Sequence, residues 1–270
     1  MATFKKIVYF LDSSNLNISF SGAVLTYGIV SHFLMEHALE YALIVFFLTF
    51  SIYNLQRLVD KRGFALSEPP LWGKYIYLPL ILSIISLLIA FTIGLKLFYF
   101  SWWLLLLSVT FAFISMWYTT PIFGLKLREI PGFKIVITAL TWGYASAFFP
   151  LVNEGLFIGT SGLFMLLIYN YFVAIIIPFD IRDMPIDNLK NSTLPQLLGV
   201  EYSKLVGIAF LLIFIIGNLY LGFMEPDNLL FYLAVLVQLL FLVFANQKRP
   251  FYYFTLIDFS IVLLGISYLI

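Results

Sequence analysis

The most constraining feature of this sequence is a succession of apolar runs, each of about 20 residues, that fills nearly all of its length. A helix of that length crosses the ~30 Å hydrocarbon core of a bilayer. Hydrophobic residues make up 62% of the chain and charged residues only 11%, which excludes a water-soluble fold with a charged surface. The runs are too long and too uniformly apolar for barrel strands, so we predict helices.

These runs predict an all-α, polytopic membrane bundle of about nine transmembrane helices. No stretch is left over for an extramembrane domain, so residues 1–270 are expected to form a single transmembrane domain. The predicted spans, with boundaries uncertain by several residues, are 15–34, 38–54, 75–93, 97–118, 133–152, 156–178, 205–224, 229–245 and 251–270.

The distribution of Lys and Arg tests this layout independently, because cytoplasmic loops carry an excess of both residues. With the N-terminus in the cytoplasm and the C-terminus outside, only Lys96 falls on the outer side. We therefore predict a multi-pass protein of the plasma or bacterial inner membrane, with its chemistry at the inner face. The inner cations are Lys5, Lys6, Arg57, Lys61, Arg62, Lys74, Lys126, Arg128, Lys134, Arg182, Lys190, Lys204, Lys248 and Arg249.

Charge and cysteine usage narrow the possible partners. A formal net charge of +1 gives no indication of a nucleic-acid partner, and the lipid bilayer is the expected surrounding. The chain has no cysteine, which excludes disulfides, thiolate catalysis and cysteine-ligated metals. His32 and His37 fall at the outer surface, and we expect no metal there.

Three aspartates follow the sixth predicted span: Asp180, Asp183 and Asp187. Their i, i+3, i+7 spacing places the carboxylates on one face of a helix, unless Pro185 breaks it and leaves Asp187 in the following loop. Clustered carboxylates repel each other unless a cation lies among them, and hard oxygen ligands suit Mg²⁺. From spacing alone two interpretations stay open: a Mg²⁺ site, or solvated loop acids paired with Arg182 and Lys190.

The segment DIRDMPIDNLKNSTLPQLLG, residues 180–199, resembles the second aspartate-rich motif of the UbiA superfamily of intramembrane prenyltransferases. In that family D-x-x-D-x-x-x-D precedes a T-L-P-x-x-L-G element. Tyr118-Thr119-Thr120-Pro121, followed by Leu125-Lys126 and later Trp142-Gly143, is similar to the family's loop after the fourth helix. The family also has nine helices, with acidic motifs after the second and the sixth, so the resemblance covers essentially the whole chain.

The first aspartate-rich motif departs from the family pattern. The corresponding segment here is YNLQRLVDKR, residues 53–62, in which Asn54 matches but the acids do not. If the second span continues as a helix, then Asn54, Arg57 and Lys61 share a face that mirrors the three aspartates with opposite charge. We interpret Arg57 and Lys61 as diphosphate-binding groups in place of a second metal; the alternative is that they only anchor the chain at lipid headgroups.

The resemblance implies the remaining site residues and the reaction. Asp180, Asp183 and Asp187 are the implied catalytic, Mg²⁺-binding residues, and Asn54, Tyr118 and Lys126 the implied substrate-binding ones; Arg57 and Lys61 are added to the latter only by the spacing hypothesis above. We also predict that Asp258 binds substrate, because burying a carboxylate within a membrane span costs free energy and such a residue usually faces a cavity. The alternative interpretation is an ion pair between Asp258 and Arg249. Asn15 and Asn17 at the start of the first span either reach the same cavity or mark the interface.

Two functional hypotheses follow. The first is a UbiA-like prenyltransferase that moves a polyprenyl group from a prenyl diphosphate to a lipophilic acceptor with the help of Mg²⁺. We expect this acceptor to be aromatic. The alternative is a degenerate, non-catalytic member of the family that binds isoprenoid lipid or a membrane partner. The altered first motif favours the second hypothesis, and the retained second motif favours the first.

Overall fold

The structure, a computed structural model, describes residues 10–11, 14–59, 77–97, 102–122, 124–185, 193–247 and 251–270. Within these ranges the regular elements are helices, which confirms the predicted all-α fold class. Numbered in chain order, the helices are α1 Leu16–His32, α2 Ala38–Val59, α3 Tyr77–Leu97, α4 Trp102–Thr119, α5 Phe133–Asn153, α6 Ile158–Asp183, α7 Leu194–Leu198, α8 Val200–Tyr220, α9 Leu229–Val243 and α10 Phe251–Ser267.

Each predicted span overlaps one long helix, and six of the described helices are long and apolar enough to cross a membrane: α2 to α6 and α8. This is the architecture of a multi-pass membrane protein, while the total of nine crossings stays a prediction. Several boundaries differ from the predicted ones. Helix α2 ends at Val59 rather than at residue 54, and α6 ends at Asp183 rather than at residue 178. Both helices therefore carry polar residues beyond their apolar runs.

The long helices pack in a ring in which neighbours along the chain are largely neighbours in space, and α10 returns to contact α1. Glycines allow the closest approaches. A Cβ atom added to Gly28 in α1 would lie 1.9 Å from the carbonyl oxygen of Gly265 in α10. One added to Gly143 in α5 would lie 2.8 Å from the carbonyl oxygen of Met165 in α6. Small residues thus bring the backbones together at both seams, as is typical of membrane helices.

Helix α6 continues past Pro178 because a side chain from α9 compensates for the missing backbone donor. Proline has no N–H group, so the carbonyl of Ala174 loses its usual partner four residues on. The buried amide of Gln238 donates a hydrogen bond of 3.0 Å to this carbonyl oxygen, and its own oxygen accepts one of 2.8 Å from Ser260. The helix is thereby kept intact for one further turn, which carries Asp180 and Asp183.

We expect Gln238→Leu to lower the thermal unfolding temperature of the purified protein in detergent. The substitution leaves the Ala174 carbonyl without its side-chain donor in an apolar interior, at a cost of about 1–3 kcal/mol for a buried group, whereas the Ser260 hydroxyl keeps the Ile257 carbonyl as an acceptor. Gln247→Leu is the matched control, because Gln247 is exposed in the segment after α9 and, among the described residues, makes only a 3.6 Å hydrogen-bond contact with the sulfur of Met184 there. Equal unfolding temperatures for the two variants would show that Gln238 does not support the end of α6.

The predicted orientation is tested by cysteine labelling, for which the cysteine-free chain is well suited. Single cysteines at Lys126 and Asp187 should react with an impermeant thiol reagent only from the cytoplasmic side, because both follow cation-rich inner helix ends. A cysteine at Ile270 should react only from outside. Labelling of residues 126 and 187 from opposite sides would contradict the layout and the shared site.

Candidate active site

The ring of helices encloses a cavity of about 800 Å³. Its charged and amide lining residues come from the helix ends on one side of the bundle: α2, α4 and α6 end there, and α1, α5 and α10 begin there. Alternating helix direction thus concentrates the polar groups at one end of a mainly apolar space. The polar lining residues at this end are Asn15, Asn17, Gln56, Arg57, Tyr118, Lys134, Asp180, Arg182, Asp183 and Asp258.

Aromatic rings line much of the remaining cavity. Trp142 of α5 stacks on Phe172 of α6 with centroids 4.9 Å apart, and Tyr144 stacks on Phe111 of α4 at 4.1 Å. Tyr144 opens a π-helical turn in α5 and its hydroxyl lies 2.6 Å from that of Ser108. This part of the cavity presents ring faces and aliphatic side chains, which suit an apolar chain or a delocalised cation.

Asp180 is fully buried, and its Oδ1 atom lies 2.6 Å from the Nζ atom of Lys134 at the start of α5. An ionised carboxylate without a partner at such a site costs several kcal/mol, and Lys134 is the counter-ion placed to offset that cost. The interpretation of Asp180 as a solvated loop acid therefore does not describe this residue. Lys134 was not among the residues singled out by sequence, since the positive-inside rule accounts equally well for a lysine there.

Asp183 lies one turn further along α6 and also lines the cavity. Arg182 donates to both of its carboxylate oxygens, at 2.7 and 3.2 Å, and both side chains are partly exposed. This pair is the one that the alternative interpretation expected for the loop acids. Asp187 lies outside the described residues, and within the described ranges no three metal-binding side chains form a group. The role of Asp187 as a metal ligand stays a prediction.

On the opposite side of the polar end, α2 contributes an amide and guanidinium network. The guanidinium of Arg57 donates a 3.0 Å hydrogen bond to Oδ1 of Asn15, and Nδ2 of Asn15 donates one of 3.1 Å to Oδ1 of Asn54. Asn54 is buried and anchored by donating to the carbonyls of Phe50 and Ser14, at 2.8 and 3.1 Å. Asn54 therefore acts through Asn15 to orient Arg57 toward the cavity.

This network settles part of the mirror-image prediction. Asn54 and Arg57 do lie on one continuous helix, as the hypothesis required, whereas Lys61 lies outside the described residues. Asn15 and Asn17 reach the cavity rather than the membrane interface. Asn15 has a left-handed backbone, with φ of 59°, which asparagine adopts more readily than most residues. That conformation turns its side chain toward α2.

Asp258 lines the cavity from α10. Its Oδ2 atom accepts a 2.8 Å hydrogen bond from Asn17, whose amide also donates to the Thr255 carbonyl at 3.0 Å. The predicted cavity position of Asp258 is thus observed, and α1 supplies a hydrogen-bond donor to it. This carboxylate approaches the cavity from a different wall than the two aspartates of α6.

Of the two substrate-binding residues predicted from the Y-T-T-P and L-K segments, one lines the cavity and the other, over the part of the chain that the structure describes, does not. Tyr118 lines the cavity, and the Arg128 guanidinium lies 5.7 Å from its ring centroid. Lys126 precedes a short 3₁₀ turn and is not part of the cavity lining among the described residues. Arg182 and Lys134 are the lining cations that the motif-based prediction omitted.

The T-L-P-x-x-L-G element has a structural explanation. Thr193 precedes α7, and its N–H donates 2.9 Å to the side chain of Gln196. Pro195 lies in the first turn, where proline is tolerated, and Gly199 ends the helix with φ of 83°, a conformation that favours glycine. The element forms a tight connection into α8 and is not part of the cavity lining among the described residues.

The donor set of the polar end fits one Mg²⁺ ion. Mg²⁺ binds through one or two carboxylates, keeps several waters and takes phosphate oxygens as further ligands. Asp180 and Asp183 supply two carboxylates at i, i+3 on one helix. The α2 side offers amide and guanidinium groups over its described residues, and these do not suit a second divalent cation.

Comparison with known proteins identifies the fold. No protein-family model and no curated protein sequence matches the chain. A structure of digeranylgeranylglyceryl phosphate synthase superposes with a TM-score of 0.60 over 100% of this chain and 98% of that chain, at 15% identity. A UbiA homologue from Archaeoglobus fulgidus bound to GPP and Mg²⁺ superposes at 0.61, over 97% and 99%, at 14% identity. The chain has a UbiA-like fold. The predicted fold is thereby confirmed over essentially the full length.

Proposed function

We propose that this protein is a membrane prenyltransferase that moves a prenyl group from a prenyl diphosphate to a lipophilic acceptor with the help of Mg²⁺. The observation that carries the proposal is the polarity of the cavity. Cations and carboxylates lie at one end, and aromatic and aliphatic side chains line the rest. An amphiphile with an anionic head and an apolar tail matches this arrangement. The likeness in fold to a protein bound to GPP and Mg²⁺ supports the same proposal.

The polar end binds the diphosphate and stabilises it as a leaving group. Mg²⁺ held by Asp180 and Asp183, with Asp187 as a further proposed ligand, supplies charge neutralisation for the departing diphosphate. Arg57, oriented by Asn15, adds a planar guanidinium that binds phosphate oxygens in a bidentate manner. Lys61 and Lys126 are proposed to add positive charge for the diphosphate, and Tyr118 contacts the head group from α4.

The apolar part of the cavity then governs the transfer. Cleavage of the bond between C1 and the diphosphate oxygen leaves an allylic cation next to the polar end, and the aromatic lining of that end, such as Tyr118, stabilises it while water is excluded. A nucleophilic carbon of the acceptor forms the new bond to C1, and the acceptor loses a proton. We assign Asp258 to the acceptor side, where its carboxylate, hydrogen-bonded to Asn17, orients the acceptor and takes up this proton.

A second candidate function is binding of isoprenoid lipid without turnover. The observation that favours it is the α2 side of the site, where Asn54 and Arg57 stand in place of metal-binding acids. A guanidinium binds a diphosphate in the ground state as well as in the transition state, and uniform binding does not accelerate a reaction. The two candidates share the ligand and differ in diphosphate release.

The experiment that separates them uses the purified protein in lipid nanodiscs with labelled prenyl diphosphates of several chain lengths. Release of diphosphate that requires both Mg²⁺ and an acceptor from an aromatic panel supports the transferase. Binding that is saturable and competed by inorganic diphosphate, without release for any acceptor, supports the second candidate. Absence of saturable binding to all of the prenyl diphosphates would overturn both.

A further inference from the structure

The ion pair between Lys134 and Asp180 crosses from α5 to α6 at the position where Asp180 would bind a metal. The two atoms are 2.6 Å apart, and the side chains are only 15% and 1% exposed. The other carboxylate of this wall, Asp183, pairs with its sequence neighbour Arg182, and both of those side chains are more exposed. Among the described residues, Asp180 therefore has a buried counter-ion from another helix, and the charge of the same lysine also acts on Asp183.

A buried carboxylate cannot serve a lysine and a divalent cation equally at one oxygen. The ammonium group occupies Oδ1 and repels a second cation brought to the same carboxylate. A diphosphate bound nearby reverses this balance, because it brings several negative charges and phosphate oxygens that accept from an ammonium group. Lysine suits an exchange of partners, since its charge lies at the end of a flexible four-carbon stem with three rotatable donors.

We propose that Lys134 is an exchangeable counter-ion that couples metal binding to diphosphate binding. Without ligand, Lys134 neutralises Asp180 and disfavours the divalent cation. When the diphosphate binds, the Lys134 ammonium moves from the carboxylate to a phosphate oxygen, and Asp180 becomes a metal ligand. The diphosphate half of this inference rests on the proposed function.

The test measures Mn²⁺ binding by electron paramagnetic resonance, first with Mn²⁺ alone and then with a non-reactive prenyl thiodiphosphate. In the parent protein, Mn²⁺ alone should bind weakly, and the thiodiphosphate should tighten it by at least roughly 10-fold, within the range typical of coupled sites. In Lys134→Gln, Mn²⁺ alone should bind roughly 10-fold tighter than in the parent, and the tightening by thiodiphosphate should shrink. Lys204→Gln is the matched control, since Lys204 pairs with Glu201 in the first turns of α8, away from the cavity.

Lys134→Arg provides the second variant, because it retains the positive charge that a buried carboxylate needs for folding. An arginine binds a carboxylate in a bidentate manner and releases it less readily, so Mn²⁺ should bind more weakly than in the parent when thiodiphosphate is present. Mn²⁺ affinities equal to the parent's in folded Lys134→Gln, or in Lys134→Arg if Lys134→Gln does not fold, would overturn the proposal. Lys134 would then be a structural counter-ion only.

Different results would overturn the competition between Lys134 and the metal, and the proposed binding of prenyl diphosphate. The comparison of parent and Lys134→Gln with Mn²⁺ alone involves no prenyl ligand, and it tests the competition between lysine and metal directly. Failure of the parent to bind any prenyl diphosphate would instead overturn the proposed function. Tighter Mn²⁺ binding in Lys134→Gln together with no thiodiphosphate effect in the parent would overturn the coupling while leaving the competition in place.

Discussion

Asp183→Asn is expected to abolish Mg²⁺-dependent binding of a prenyl diphosphate, with a loss of affinity of roughly 100-fold or more. Even outer-shell partners of a metal site typically contribute 10–100-fold in metal affinity, and Asp183 is proposed to be a direct ligand. An amide of the same shape carries no charge and cannot hold Mg²⁺ against water and phosphate. Isothermal titration with the prenyl thiodiphosphate, with and without Mg²⁺, measures the effect.

Asp227→Asn is the matched control for this substitution, because Asp227 is exposed in the turn between α8 and α9. It should bind the ligand like the parent protein. Asp180→Asn should resemble Asp183→Asn in metal dependence. An unchanged response to Mg²⁺ in both Asp180→Asn and Asp183→Asn would mean that these carboxylates are structural charges neutralised by Lys134 and Arg182.

Arg57→Gln is expected to weaken prenyl diphosphate binding by roughly 30-fold or more, the lower end of the effect of truncating one partner in a buried charge pair. The loss removes a guanidinium that Asn15 holds at the polar end of the cavity. Arg57→Lys keeps the charge but loses the planar fork, so it should lie between Arg57→Gln and the parent. Asn15→Ala should weaken binding less, since it removes the orientation of Arg57 and leaves its charge.

Lys204→Gln controls for a general loss of positive charge near this end of the bundle. If Arg57 only anchors the chain at lipid headgroups, then Arg57→Gln and Lys204→Gln should have similar small effects on ligand affinity. Parent-level affinity in Arg57→Gln would remove the guanidinium from the proposed site and favour the anchoring interpretation.

The fold was largely predictable because apolar runs and cation bias are properties of whole segments. The ends of the helices were not, since they depend on contacts between helices. The predicted sixth span stops at residue 178, whereas α6 continues to Asp183, with Gln238 on α9 donating to the carbonyl that Pro178 leaves without a backbone partner. That contact joins residues 64 positions apart, and no local pattern reports it.

The candidate site was predictable where one motif carries it and not where several helices meet. Asp180 and Asp183 follow from their spacing, and Arg57 follows from the continuity of α2. Lys134 does not, because a lysine at the cytoplasmic end of a span is expected in any membrane protein. Its distinction is the distance of 2.6 Å to Asp180, which depends on how α5 packs against α6.

We propose that the cavity binds the prenyl chain with its diphosphate at the polar end. Photolabelling with a prenyl diphosphate that carries a diazirine on its tail tests this most directly, with labelled peptides mapped by mass spectrometry. We expect Mg²⁺-dependent labelling of cavity-lining residues of α4 and α5, such as Leu105, Phe111 and Ala145, competed by unlabelled ligand and lost in Asp183→Asn. Labelling confined to lipid-facing residues such as Leu212 and Ile216 of α8, unaffected by competitor, would contradict the account.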